Sequence, residues 1–380
     1  RWGRMPWAEL LSPAIAFARE GMLVDWYAAL LIASTARNLA KDPDAAALFL
    51  DDGVWPKGSG WTAIPDNRLE QSAMADTLEA LAAGGPRAFY EGDVGRALAQ
   101  DVQAKGGSLA AEDLAGYRAW VGAAQPVPYR DALFHVMPGL TAGPTFARVL
   151  EQLSDADLSH PASAYPAYAR ALATAYAERL GKMGDTGEVP EAPGCTTHFS
   201  IVDRDGNMVA NTQTLLSIFG SRVVSPSTGL LMNNGIMWFD PEQGKPNSLA
   251  PDKACLMNVC PVLGAGGGRR VALGASGGRK IVSAVSQLAS FVVDRGMGIG
   301  EAFHTPRIDV SGGSGIVADE TLPQDVLDAL GTVMPVQTTR RTVLPYAFAC
   351  PAGVMRDGTT NTGCTEIMSP WGDAALEDDQ

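Results

Sequence analysis

The most informative stretch is residues 195–216, which read CTTHFSIVDRDGNMVANTQTLL. Two β-rich runs flank residues 203–207, and a three-residue loop with Gly206 in the left-handed conformation is a common way to close a hairpin. Counting outward from this loop places Thr196 opposite Thr214, unless a bulge shifts the register by one residue. Directly paired residues share a face, with Cβ atoms about 5 Å apart. The sequence therefore predicts two neighbouring hydroxyl groups at the open end of a hairpin.

A threonine hydroxyl becomes an effective nucleophile when a base lies beside it. If the chain is cut between Cys195 and Thr196, the new α-amine can be that base, since its unperturbed pKa is about 7.7–8.0. Residues 182–195, KMGDTGEVPEAPGC, predict a linker that tolerates a cut. We therefore interpret Cys195–Thr196 as a processing site, Thr196 as the nucleophile and Thr214 as its supporting hydroxyl. The alternative is that both threonines are ordinary strand residues, because Thr favours strands.

A second candidate element is the segment GASGGR at residues 274–279, which follows a predicted strand and opens a predicted helix at 279–296. Free N–H groups at the N-terminus of a helix attract negative charge. We predict that the N–H groups of Gly277 and Gly278 stabilise an oxyanion, with a tight turn of no catalytic role as the alternative. The other glycine-rich segment, residues 264–269, lacks the spacing of a nucleotide-binding loop and is predicted to be a hairpin turn.

The two halves of the chain show different patterns. Apolar residues recur at helical spacing in residues 7–20, 25–41, 69–83, 91–105, 143–154 and 163–180. Beyond the hairpin, strands are expected near residues 222–225, 230–233, 259–263 and 270–274. Because helices come first and strands later, the order favours an α+β fold over alternating βαβ units.

Composition excludes several classes of function. The chain of 380 residues carries a net charge of −13, which argues against binding nucleic acid or an anionic membrane. A membrane-spanning helix needs an apolar run of about 18 residues, and the sequence contains no such run. The four histidines lack metal-binding spacing, and five cysteines, an odd number, do not indicate a disulfide scaffold. We predict no cofactor and no metal site, and a small molecule as the partner.

In their order along the chain, these motifs resemble the γ-glutamyltransferase family. The matching segments are 88–92 (AFYEG), 106–109 (GGSL), 196–200 (TTHFS), 203–207 (DRDGN), 219–221 (FGS), 233–234 (NN), 274–278 (GASGG) and 302–308 (AFHTPRI). The resemblance implies a four-layer αββα sandwich of the N-terminal-nucleophile (Ntn) hydrolase type, with a helix-rich first half. It also implies a precursor that cuts itself before Thr196 and then transfers the acyl group of a γ-glutamyl amide, such as glutathione, to water or an amine.

The resemblance further implies how the chain is divided. Residues 1–195 correspond to a large subunit whose front is apparently truncated, and residues 196–380 to a small subunit that carries the nucleophile. Together they are expected to form one interleaved domain, so the two self-cleaved pieces remain together as a heterodimer. The family implies a periplasmic or secreted protein, whereas the sequence itself leaves the compartment open, a cytoplasmic one included.

The chain departs from the family at the positions that bind the glutamyl α-amino and α-carboxylate groups. These predicted substrate-binding positions are Leu216 in place of Asn, Gly235, Met237 and Trp238 in place of Gln and Asp, and Met257 and Asn258 in place of a Ser-Ser pair. Apolar walls hold a zwitterion poorly, because buried charges need partners. Three hypotheses remain: a γ-glutamyl hydrolase or transferase, which leads; an amidohydrolase for a non-glutamyl acyl group, as in the cephalosporin acylases; and a non-catalytic relative that binds a ligand.

Overall fold

The computed structural model describes residues 3–58, 67–183, 194–251 and 253–377. Most of the predicted linker therefore lies outside the described residues. The chain divides into two units, Arg1–Gly122 with Ile218–Asn234, and Ala123–Ser217 with Gly235–Gln380. All of the predicted catalytic and substrate-binding residues belong to the second unit.

Apolar periodicity predicted the main helices well. The helices are α1 (Trp7–Glu20), α2 (Trp26–Leu39), α3 (Pro43–Phe49), α4 (Ser72–Gly84), α5 (Arg87–Tyr90), α6 (Asp93–Ala104), α7 (Ala111–Gly116), α8 (Gly143–Leu153), α9 (Pro161–Lys182), α10 (Lys280–Asp294), α11 (Ile299–His304) and α12 (Gln324–Gly331). The mixed α+β class and its helix-rich first half are confirmed.

Strands are concentrated in the second unit. They are β1 (Met22–Leu23), β2 (Leu50–Asp51), β3 (Trp55–Pro56), β4 (Arg68–Leu69), β5 (Gln125–Tyr129), β6 (Ala132–Val136), β7 (Gly194–Val202), β8 (Met208–Ser217), β9 (Val262–Gly266), β10 (Arg269–Ser276), β11 (Ile308–Asp309), β12 (Ile316–Asp319), β13 (Val336–Thr339), β14 (Cys350–Asp357) and β15 (Thr360–Thr365).

The first unit contains helices α1 to α7 and the short pairs β1–β4 and β2–β3. Its core is formed by buried apolar side chains of α2, α3 and their neighbours: Val24, Ile32, Leu39, Ala45, Ala46, Phe49, Leu50, Leu69 and Val224. This core is small, and one of its members comes from the separate segment Ile218–Asn234.

The prediction of two strands within residues 222–233 was wrong. The described chain has a single bridge there, and the segment is attached to the helices of the first unit by side chains. The Ser225 hydroxyl donates to Asp101 at 2.5 Å, and the Thr77 hydroxyl donates to the Thr228 carbonyl at 2.9 Å. These long-range hydrogen bonds to α6 and α4 hold the segment in place, where a strand ladder was predicted.

The second unit contains a six-stranded antiparallel sheet in the order β15-β14-β10-β9-β6-β5. Gly267 and Gly268, with φ of 56° and 79°, close the β9–β10 hairpin, so the turn predicted at 264–269 is confirmed. The β5–β6 hairpin escaped prediction because Pro126 and Pro128 interrupt the strand pattern. Both prolines are tolerated because β5 is an edge strand.

Helices α8 and α10 pack over this sheet, α9 packs against α8, and α10 is buried along most of its length. On the other side, the β7–β8 hairpin forms its own two-stranded sheet and packs against β10 and β14. The hairpin approaches the sheet closely at Gly274, where an added Cβ would lie 2.2 Å from the ring of His198. A glycine at this position therefore lets the hairpin lie directly on the sheet.

Candidate active site

The β7–β8 hairpin has the predicted loop and, over most of its length, the predicted register. Gly206 has φ of 82°, and its N–H donates to the Asp203 carbonyl at 3.0 Å. Pairing continues outward from the loop as far as Thr196 opposite Thr214. There the register shifts, and Cys195 pairs with Leu216, so a bulge lies at the peptide bond predicted to be cut.

The two predicted hydroxyl groups are in contact. The Thr196 hydroxyl donates to Thr214 Oγ1 at 3.1 Å, and the Leu216 N–H donates to the same oxygen at 2.9 Å. Both threonines are half-buried, so solvent still reaches them. Thr214 is thereby fixed by the bulge and in turn orients the Thr196 oxygen, an arrangement suited to a nucleophile held beside a polar supporter.

Leu216 itself occupies an unusual backbone conformation, with φ of 77°, and its side chain is buried. Left-handed backbone costs a residue with a Cβ roughly 1–2 kcal/mol. Asn, which is typical of the family at this position, adopts the conformation more readily than Leu. The replacement at 216 therefore affects the backbone beside the predicted cut.

The glycine turn between β10 and α10 matches the predicted oxyanion element in its backbone. Gly277 and Gly278 have φ of 135° and 60°, and their carbonyls accept from the first N–H groups of α10. In the part of the chain that is described, neither glycine N–H donates to a backbone carbonyl. A Cβ at Gly278 would meet no atom within 4 Å, so this face of the turn is open.

The packing of the hairpin directs Thr196 toward this turn. The loop end of the hairpin, at Gly206, lies beside Arg270 near the start of β10, and His198 lies over Gly274 four residues further along. At about 3.3 Å per residue, two more residues along β7 reach the end of β10, where Gly277 follows. We therefore expect the Thr196 hydroxyl to lie near the predicted oxyanion donors.

Apart from Leu216 on β8, the predicted substrate-binding residues lie on two separate segments of the second unit. Gly235–Trp238 forms one 3₁₀ turn, in which Met237 is exposed and Trp238 is half-buried. Met257 and Asn258 lie on an extended segment before β9 and are also half-buried. The structure thus leaves apolar side chains of both segments accessible to a ligand.

Sequence reasoning missed two buried residues, of which Arg179 supports the Met257 segment and Tyr176 supports the end of the glycine turn. Arg179 on α9 donates to the Met257 carbonyl at 2.8 Å and to Asn258 Oδ1 at 3.1 Å. Tyr176, one turn earlier, donates its hydroxyl to the Arg279 carbonyl at the start of α10. A signal for Arg179 existed, because it follows an apolar helical stripe through Leu172, Ala175 and Tyr176, where a surface arginine is not expected.

His198 is a packing residue rather than a general base. Its ring nitrogens bond to Thr212 Oγ1 at 2.7 Å and Ser200 Oγ at 2.9 Å. Burial against the sheet disfavours the charged imidazolium and lowers the pKa of His198 to about 4. The neutral ring is therefore the form compatible with the packed hairpin at neutral pH.

This pKa gives a testable prediction for stability. Because the folded pKa lies below the unfolded value of about 6.5, the unfolded state binds the proton first, and stability falls as the pH drops from about 6.5 to 4. We expect His198 to account for a loss of roughly 3 kcal/mol in the free energy of unfolding across this window. Denaturant titrations at pH 7 and pH 4 should show a smaller pH dependence in His198→Gln. Equal pH dependence in both proteins would contradict the prediction.

Among the described residues, no group of three or more His, Cys, Asp or Glu side chains could hold a metal ion. Within these residues, no helix has the length and hydropathy needed to cross a bilayer. The four cysteines whose side chains are described, Cys255, Cys260, Cys350 and Cys364, are free thiols.

The chain is similar to known proteins over most of its length. The model of the Gamma-glutamyltranspeptidase family matches residues 1–193 and 185–367. The chain is 31% identical over 371 residues to the Acylase ACY 1 proenzyme of Pseudomonas sp. (strain V22), covering 87% of this chain and 65% of the relative. It is 28% identical over 361 residues to the Glutathione hydrolase proenzyme of Escherichia coli (strain K12), covering 81% and 61%. The chain thus spans a little less than two thirds of these relatives.

The fold also matches a solved structure. A cephalosporin acylase from Bacillus halodurans superposes with a TM-score of 0.85 at 24% identity, covering 99% of this chain and 75% of that one. At this identity the match establishes the shared α+β fold.

Proposed function

Since the chain belongs to the gamma-glutamyltranspeptidase family, we propose that it is a self-cleaving amide hydrolase with Thr196 as its nucleophile and a non-glutamyl acyl group as its substrate. The relatives in this family include acylases and glutathione hydrolases. Both activities are hydrolytic, so the chain is assigned to the hydrolases of this family. The observation that carries the proposal is the Thr196–Thr214 hydroxyl pair beside a bulge at the predicted cut. That both relatives are proenzymes supports cleavage at this place.

Self-cleavage at this site would proceed in two steps. The Thr196 oxygen attacks the carbonyl carbon of Cys195, forming a C–O bond; the C–N bond breaks, and the nitrogen takes the proton. Water then hydrolyses the resulting ester, which leaves a carboxylate on Cys195 and a free α-amine on Thr196. That amine, with an unperturbed pKa of about 7.7–8.0, is the base that the mature nucleophile needs.

The two pieces, 1–195 and 196–380, are proposed to stay together as a heterodimer. Each structural unit contains residues from both sides of the cut. Within the six-stranded sheet, β6 from the first piece pairs with β9 from the second. In the second unit, the β7–β8 sheet lies on the six-stranded sheet, and a helical layer covers the other side. This stacking supports the proposal of an αββα sandwich of the Ntn-hydrolase type. A periplasmic or secreted location is proposed from the family alone.

In turnover, the Thr196 α-amine takes the hydroxyl proton as the oxygen attacks the amide carbonyl of the substrate. The N–H groups of Gly277 and Gly278 are proposed to hold the developing oxyanion, and Thr214 to orient the nucleophile. As the C–N bond of the substrate breaks, its leaving amine takes that proton back from the Thr196 α-ammonium, and an acyl-enzyme remains. Water then hydrolyses the acyl ester and releases the acid; an amine acceptor in place of water would make the reaction a transfer. No cofactor enters this scheme.

The acyl group is proposed to lack the α-ammonium of a glutamyl residue. Leu216, Met237, Trp238 and Met257 occupy positions where the resemblance places polar glutamyl-binding residues. A buried ammonium without partners is costly, whereas an uncharged acyl chain gains from apolar contact. The similarity to acylases supports the same choice, so the second of the three sequence hypotheses is preferred over γ-glutamyl amides.

A matched series of p-nitroanilides tests this assignment. The γ-glutamyl, glutaryl and butyryl compounds share an acyl chain and differ by successive loss of the ammonium and the carboxylate. We expect kcat/KM to rise about tenfold or more when the ammonium is removed, the effect of about 1.4 kcal/mol. Faster hydrolysis of the γ-glutamyl compound than of both others would support the γ-glutamyl hypothesis instead. A chain that stays uncut and turns over none of the three compounds would favour the non-catalytic ligand-binding relative.

A further inference from the structure

We propose that Asn247 is a positioning residue that couples the two acyl-binding segments and so determines which acyl groups the site accepts. Its side-chain amide bridges the segment that carries Trp238 and the segment that carries Met257. This inference rests on the proposed function, since it assigns those two segments to the acyl pocket. Asn247 was not among the sequence-predicted site residues, and it lies ten residues from Met257.

The bridge is made by both ends of one amide. Asn247 Nδ2 donates to the Trp238 carbonyl at 2.6 Å, and Asn247 Oδ1 accepts from the Leu256 N–H at 2.9 Å. The Asn247 side chain is 3% exposed, so neither bond competes strongly with water. An amide fits this position, because its Nδ2 donates while its Oδ1 accepts.

The coupled segments are fixed further on both sides. The Asp240 N–H donates to the Asn247 carbonyl at 2.9 Å, which anchors the chain that follows Trp238. The Met257 N–H donates to the Leu140 carbonyl at 2.7 Å, and Arg179 holds the Met257 carbonyl. A change at Asn247 would therefore shift Trp238 relative to a Met257 segment that stays attached to α9.

The proposed consequence is a defect in binding rather than in chemistry. Thr196, Thr214 and the glycine turn lie on other elements, and none of them bonds to Asn247 among the described contacts. Loosening the Trp238 segment should raise KM for an acyl group that fills the pocket, with little change in kcat or in the rate of self-cleavage. This split between KM and kcat separates positioning from a general loss of folding.

The test uses Asn247→Ala and Asn247→Asp in the full chain, with butyryl p-nitroanilide as substrate. We expect KM to rise about tenfold, as for the loss of one buried hydrogen bond, and kcat and self-cleavage to change less than about threefold. In Asn247→Asp the carboxylate cannot donate to the Trp238 carbonyl, whereas its protonated form can. The KM defect of this variant relative to wild type should therefore shrink as the pH falls.

Asn361→Asp is the matched control. Asn361 also donates to a carbonyl, that of Asp203 at 3.2 Å, and accepts from Arg356 at 2.9 Å, but it lies beside the loop end of the hairpin. The KM of the Asn361→Asp variant should match that of the wild-type protein. Unchanged KM in both Asn247 variants, an equal rise in Asn361→Asp, or a parallel fall of kcat and self-cleavage would overturn the proposal. Wild-type cleavage and turnover, measured alongside, test the proposed function separately.

A second measurement needs no variant and covers the case in which Asn247 substitutions prevent folding. In the wild-type protein, butyrate is the acid product of the same substrate. Saturation with butyrate should slow hydrogen exchange at the Leu256 amide, because a filled pocket stabilises the bridged segments. Unchanged exchange at Leu256 in the presence of bound butyrate would also overturn the proposal.

Discussion

Replacing Thr196 with alanine is expected to leave one uncut chain with no measurable amidase activity. The change removes the oxygen that attacks both the Cys195 carbonyl and the substrate, so turnover should fall on the order of 10⁴-fold or more. Intact-mass analysis of the purified protein should show a single species for Thr196→Ala and two pieces for wild type, one beginning at Thr196. Thr196→Ser keeps a hydroxyl and should still be cut.

Thr197→Ala is the matched control for this experiment. Thr197 is the next residue of β7, faces the opposite side of the hairpin and pairs with Gln213. It is exposed and therefore should be cut and active like wild type. Normal cutting of Thr196→Ala would show that Thr196 is not the processing residue, and normal activity would remove it as the nucleophile.

Gly277→Ala is expected to produce the second largest loss. With φ of 135°, Gly277 occupies backbone that residues with a Cβ rarely adopt, and an added Cβ would lie 2.8 Å from the Ala349 Cα. The turn must therefore move, and its N–H groups with it. Loss of one oxyanion donor costs about 10²–10³-fold in kcat, and self-cleavage should slow as well, because both reactions pass through a tetrahedral oxyanion.

Gly268→Ala is the matched control, which separates the effect of backbone strain from the effect on catalysis. Gly268 also has a positive φ, of 79°, but it closes the β9–β10 hairpin, and an added Cβ there meets no atom within 4 Å. Its substitution should cost about 1–2 kcal/mol of stability and leave kcat within about twofold. If Gly277→Ala loses no more activity than Gly268→Ala, the turn at 277–278 is not the oxyanion element.

Local rules were enough to predict the hairpin and the helices. The loop at Gly206 determines the register, and the register places Thr196 against Thr214, so this contact follows from counting residues. The spacing of apolar residues predicted the helices, because each helix needs one buried face. The bulge at Leu216 was foreseen as a possibility, but its position depends on the Thr214 hydroxyl accepting the Leu216 N–H.

The parts that escaped prediction depend on contacts distant in sequence. Arg179 contacts Met257 across 78 residues, and no local pattern shows which carbonyl a buried arginine will meet. The β5 strand was not predicted because its prolines interrupt the strand pattern, although an edge strand tolerates them. Asn247 lies in a loop of ordinary composition, and its role becomes visible when both of its partners are placed. The roles of the predicted site residues stay predictions until the variants above are measured.

The pairing of β6 with β9 also affects how the protein refolds after denaturation. Before the cut, refolding is a unimolecular process, and its rate is independent of dilution. After the proposed cut, that sheet would be built from two polypeptides, so neither fragment would hold a whole core and reassembly would be a second-order reaction. Once denatured in dilute solution, the mature molecule would recover slowly, because its two halves must first meet.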